Sequence, residues 1–210
     1  MHNHAKIQWL GLWGRLGARG DPEKIFNELV AHYSESHRFY HILKHIEHCL
    51  RELDKVRHFI RNVNALELGL WWHDSAYDTR AKDNEEKSIL LMAEAMRQVC
   101  VAEKVIEISS TFIMLSKHRV PPIGLDARFS IDIDLAILGQ TEERFDEYER
   151  QIRKEYEWVS DADFVRGRSA ILDSFLKRPS IYSTPFFYQK YEEQARKNLS
   201  RSLVQLSGRS

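Results

Sequence analysis

Apolar residues in this chain recur mostly at intervals of three and four, the spacing that gathers side chains on one face of an α-helix. Ile42, Leu43, Ile46, Leu50, Leu53 and Val56 keep this interval and predict a helix from about Arg38 to Phe59. Phe26, Leu29 and Val30 form a shorter stripe behind Asp21-Pro22, an N-cap aspartate followed by a proline suited to the first helical position. Trp9, Leu12, Trp13 and Leu16 predict a short amphipathic helix that packs on the body of the protein. Leu66, Leu70 and Trp71 mark a helix from about Asn64 to His73, after which the polar stretch 75–84 reads as a loop.

Helices are expected to resume from Glu85 to Val99 and from Glu103 to Ser116, until Pro121-Pro122 and Gly124 force a break. Ala127 to Leu138, Thr141 to about Trp158, Asp161 to Leu176 and Pro185 to about Val204 complete the series. No segment alternates with the period of two that a half-buried strand needs, and no repeat or linker divides the chain. The pattern predicts one all-α domain over 1–210 with roughly eight or nine helices.

A hydrophobic content of 43% is enough to fill a core, which excludes a disordered chain. The 31 Lys and Arg residues balance 31 Asp and Glu, so no polymeric nucleic acid is expected as partner. A small phosphorylated substrate needs only a few local cations and stays open. Cys49 and Cys100 are too few and too far apart for a disulfide scaffold, which suits a reduced, cytoplasmic setting. Gly11, Gly14, Arg15 and Gly17 interrupt the apolar N-terminus, so neither a signal peptide nor a membrane partner is expected.

The unusual feature is histidine: ten in all, six of them between His32 and His58. His37, His41 and His45 are spaced by four and would share one helix face. His41 and His45 resemble the paired histidines of a zincin helix, but Ile42 occupies the place of its glutamate base, and that reading fails. His73-Asp74 follows the apolar run 68–72 at an expected helix end, where two adjacent side chains can reach one ion. Asp132 and Asp134 sit among Ile131, Ile133, Leu135 and Ile137, a costly place for acids unless they meet a cation or a hydrogen-bond donor.

A histidine, then His-Asp, then a distant aspartate resembles the signature of the HD phosphohydrolase superfamily. Tyr40-His41, His45-Ile46, Trp72-His73-Asp74, Asn84-Glu85 with Ser88, and 132–139 are similar to a family of predicted HD phosphohydrolases without assigned substrates. So are Arg168, Leu172, Phe175-Leu176 and Arg178, then Ile181-Tyr182-Ser183-Thr184, and finally Glu193, Ala195-Arg196 and Asn198-Leu199, so the likeness spans nearly the whole chain. It implies an HD-type helical domain whose metal site lies within about 37–138, with helices in 141–205 packed on it.

By the same resemblance, His45, His73, Asp74 and either Asp134 or Asp132 would ligate one divalent ion. Such a mixed nitrogen and oxygen set suits Mn²⁺, Fe²⁺, Co²⁺, Ni²⁺ or Zn²⁺, with Mg²⁺ also open. The expected chemistry is hydrolysis of a phosphate ester, a nucleotide among the options, by a metal-activated water. Asp74 would also orient or deprotonate the nucleophile, His118 would protonate the leaving oxygen, and Glu85 would orient a water or a ligand histidine. His41, Arg38, Lys44, Arg80 and Lys117, with Arg119, are candidates to meet phosphate. For His118 and Glu85 the plain alternatives are a helix C-terminal cap and an N-terminal helix charge. An HD-fold di-iron oxygenase, a non-catalytic nucleotide-binding module and an oligomer remain alternatives; His118 is the only histidine between the doublet and Asp134, which favours one metal over two.

Overall fold

The apolar periodicity resolves into ten α-helices, with no strand among the described residues, 3–208 of the computed structural model. In chain order they are α1 (Asn3–Leu16), α2 (Pro22–His32), α3 (Leu43–Val56), α4 (Val63–Trp72), α5 (Asn84–Gln98), α6 (Glu103–Leu115), α7 (Leu125–Asp134), α8 (Glu142–Glu155), α9 (Asp161–Leu176) and α10 (Pro185–Ser207). Short 3-10 turns cover Arg57–Phe59 and Leu135–Ile137. The count exceeds the expected eight or nine because each segment read above as helical forms a helix of its own, the glycine-interrupted N-terminus included. There Trp9 and Leu12 are buried, and Trp9 donates its indole N–H to the Pro22 carbonyl at 2.9 Å. No helix among the described residues is long and apolar enough to cross a membrane.

The backbone divides into two compact units, Met1–Ile131 and Asp132–Ser210, the division falling within α7. In the first unit α4 is central. Every residue from Ala65 to Trp72 is buried, the signature of a helix enclosed on all sides. Trp9 and Phe26 meet Trp71 edge-on, and Ser109 of α6 donates to the Ala65 carbonyl at 2.8 Å. Gly69 lets α6 approach closely, since a Cβ there would lie 3.1 Å from Cβ of Phe112. The expected Asp21 cap is present: its carboxylate accepts from the N–H groups of Glu23 and Lys24 ahead of α2.

One expected helix is shorter than its pattern. The stripe that predicts a start near Arg38 begins only at Leu43, because Ile42 is extended at φ −115° and ψ 172°. Residues before it are turned by Arg38, whose guanidinium donates to the His41 carbonyl at 3.2 Å. His37 and His41 therefore precede α3, and the three histidines do not share a helix face.

In the second unit α9 and α10 pack together. Thr141 and Ser160 cap α8 and α9 through their hydroxyls, as the expected starts near Thr141 and Asp161 require. Buried Arg168 is paired with Glu149, which also accepts from Ser202 at 3.0 Å. Asn198 donates to the carbonyls of Leu138 and Gln140, both at 2.8 Å, and Glu192 accepts from the N–H groups of Ile181 and Tyr182. Much of the C-terminal pattern quoted above is thus internal scaffolding.

Candidate metal centre

α3 and α4 converge on a small polar cluster in an apolar interior. His45 lies in the first turn of α3 on its buried side, between Leu43 and Ile46. His73 follows directly on α4 in helical backbone conformation, and Asp74 comes next as the chain leaves the helix. This is the helix end at which neighbouring side chains can face one point.

The ligand atoms are close. His45 Nε2 and His73 Nε2 are 3.1 Å apart, and Asp74 Oδ2 lies 3.0 Å from the latter and 3.6 Å from the former. These separations suit ligand atoms that share one divalent transition ion with bonds of about 2.1 Å to imidazole and carboxylate. Nδ1 of His73 lies 3.0 Å from the Leu70 carbonyl, which can only accept, so Nδ1 carries a proton and Nε2 is the nitrogen turned to the cluster. Burial opposes charge on Asp74, but His73, His41 and His45 outweigh it and hold the carboxyl well below its ordinary range. The three residues therefore fit a divalent metal ion in donor type, spacing and charge.

Arg38 is the frame of this cluster. Its side chain is fully enclosed and donates to the carbonyls of Asp74 at 2.5 Å, Ser75 at 3.0 Å and His41 at 3.2 Å, while pairing with Glu35 at 2.8 Å. It also lies over the rings of Tyr33 and Tyr77, 5.4 and 5.3 Å from their centroids. The structure thus gives this expected phosphate-binding residue a different task, joining the turn before α3 to the end of α4.

His41 reaches the cluster through that turn and not through a shared helix. Its ring centroid is 6.0 Å from that of His45, and it stacks on Tyr77 at 4.2 Å. His37 is exposed and engages the Tyr77 carbonyl through Nε2 at 2.7 Å. Lys44, Arg80 and Arg119 are exposed. Lys117 is held by Glu86 at 2.5 Å and Glu85 at 3.5 Å, so Glu85, in the first turn of α5, supports that lysine. His118 follows α6 in left-handed conformation (φ 53°), its N–H bonded to the Leu115 carbonyl at 3.0 Å, which is the helix-terminating role.

The two aspartates behave differently. Asp132 is fully buried, and its carboxylate accepts from the N–H groups of Ser183 and Thr184 at 2.9 and 2.7 Å and from both hydroxyls. The donor that its apolar surroundings demand is the chain entering α10. Asp134 is the last residue of α7.

Sequence reasoning missed Tyr77, the Leu70 carbonyl and Cys49, whose Sγ lies 3.8 Å from both ring nitrogens of His45. A backbone carbonyl leaves no mark in a sequence, and Tyr77 stood in a stretch that read only as polar loop. No family model, no curated protein and no solved structure matches this chain.

Proposed function

We propose that the chain is a metal-dependent phosphohydrolase of the HD type, acting on a small phosphate ester, with nucleotides as the first class to try. The convergence of His45 Nε2, His73 Nε2 and Asp74 Oδ2 within 3.6 Å carries this reading. A divalent ion bound there would supply Lewis acidity toward a phosphoryl group and acidify a water. Hydrolysis forms a bond from water oxygen to phosphorus, breaks the ester P–O bond, and delivers a proton to the departing oxygen.

Within the chain, His45 and His73 would hold the ion as neutral imidazoles and Asp74 as a carboxylate. Asp134 is the better choice for a fourth ligand, because Asp132 is consumed by Ser183 and Thr184. The Leu70 carbonyl orients His73, and Arg38 fixes the backbone that carries Asp74. His41, partly exposed beside His45, is placed to donate to a phosphate oxygen. Lys44 and Arg80 are exposed cations of the kind that steady charge on a transferring phosphoryl group.

The deciding experiment is metal analysis of untagged protein after incubation with Mn²⁺, Fe²⁺ or Zn²⁺, for wild type and for His73→Ala and Asp74→Ala. About one ion per wild-type chain, lost in variants whose circular dichroism is unchanged, is expected. Phosphate release from a nucleotide panel should then require the loaded protein. No bound metal under any of these conditions would sink the reading, and about two ions per chain would favour the di-iron alternative.

A further inference from the structure

Outside the candidate metal cluster, the first unit presents a basic surface with apolar side chains protruding from it. Two segments form it: 57–62, between α3 and α4, and 117–129, which leaves α6 and enters α7. They are joined. Asp126 accepts from the N–H groups of Arg61 and Asn62 at 3.0 and 2.9 Å, and Phe59 stacks on Phe129 with centroids 5.9 Å apart.

Charge is sorted here as it is not in the whole chain. The segments contain Arg57, Arg61, Lys117, Arg119 and Arg128 against one acid, Asp126, in a protein whose formal net charge is zero. That acid is occupied by backbone donors. Arg57 is paired with Asp54 and Glu67, and Lys117 with Glu86. Arg61, Arg119 and Arg128 are exposed and have no acidic partner among the described residues. The same two segments carry Ile123, 94% exposed, Val120, 59% exposed, and Leu125 and Phe59, each 50% exposed. Pro121-Pro122 stiffens the segment that carries Val120 and Ile123.

We propose that this face docks on an anionic lipid bilayer, with Val120 and Ile123 entering the interface while Arg61, Arg119 and Arg128 meet lipid phosphates. The combination of protruding apolar side chains and unpaired cations selects this partner: the first gain from leaving water, the second from the negative surface potential. An acidic protein would need the cations but no inserted isoleucine. No helix among the described residues is long and apolar enough to cross a membrane, but an interfacial contact needs none.

The test is co-sedimentation of the full chain with vesicles of phosphatidylcholine alone and of phosphatidylcholine mixed with phosphatidylglycerol. Wild type should sediment with the mixed vesicles, weakly or not at all with the neutral ones, and less as salt is raised. Ile123→Glu and Arg119→Glu should each reduce the bound fraction by about fivefold or more. Both positions are exposed, so folding is checked simply by unchanged circular dichroism. Absence of wild-type binding to the mixed vesicles, or binding that survives both substitutions, overturns a bilayer contact at this face. Loss with Arg119→Glu but not with Ile123→Glu also overturns it and leaves an acidic macromolecule in its place.

Discussion

The guanidinium of Arg38 donates to the backbone carbonyl of Asp74 at 2.5 Å, so an arginine from the turn before α3 fixes the residue that closes the candidate metal cluster. The same group serves Ser75 and His41. Arg38→Met should leave these buried carbonyls without a donor and cost about 2–4 kcal/mol, read as a lower urea midpoint. Arg38→Lys should recover little, since one ammonium cannot span acceptors placed for a planar fork. Metal occupancy at limiting ion should fall in both. Full occupancy in Arg38→Lys would show that the arginine stabilises the fold without positioning the site.

Three glycines make a graded test of packing. A Cβ on Gly139 would lie 2.5 Å from Cβ of Tyr191 and 2.8 Å from its carbonyl oxygen, and neither atom is the tip of a flexible side chain. Gly139→Ala should therefore destabilise by about 3 kcal/mol or more. At Gly69 the nearest atom is Phe112 Cβ at 3.1 Å, and about 1–3 kcal/mol is expected, felt along α4. Gly167, exposed on α9 with nothing within 4 Å, should gain roughly 0.5–1 kcal/mol from alanine. Thermal melts of the three variants should keep this order.

The aspartates separate structure from ligation. Asp132→Asn turns one acceptor oxygen into a donor that faces the N–H groups of Ser183 and Thr184, so a loss of about 2 kcal/mol is expected. Its metal content should stay at the wild-type value. Asp134→Asn should do the reverse, lowering metal content with a smaller change in melting temperature. If Asp132→Asn loses the metal while remaining folded, the assignment of the fourth ligand is wrong.

The helices were readable because burial imposes a periodicity, and α4 stood out as an apolar run ending in His73-Asp74. The start of α3 was not readable, since the stripe through Ile42 continues into residues that Arg38 turns away by bonding the His41 carbonyl. His41 still reached its expected neighbourhood, by a turn and not by helical spacing. A buried acid needs a partner, but an aspartate facing a cation and one facing N–H groups look alike in sequence. Arg38 and Lys117 read as free cations because their acceptors, carbonyls in one case and Glu85-Glu86 in the other, are brought to them only by the fold.

Tyr182 gives a pH test that does not involve the candidate metal ligands. Its hydroxyl donates to the Leu135 carbonyl at 2.9 Å in the second unit. Burial, reinforced by Asp132 and Tyr191, pushes this phenol well above its ordinary value. A group whose folded value is raised is neutral in both states at neutral pH, where its contribution is fully present. As pH rises past about 10, the unfolded chain ionises first and the contribution is lost. Tyr182→Phe should cost about 1 kcal/mol near neutrality through the lost hydrogen bond, with Leu135 still accepting from Leu138. The advantage of wild type over this variant, measured as the difference in urea midpoint, should shrink steadily from about pH 9 to pH 11. A difference that stays constant across that range would mean that the hydroxyl ionises as readily in the folded protein as in the unfolded chain, and that the burial seen around Tyr182 does not persist in solution.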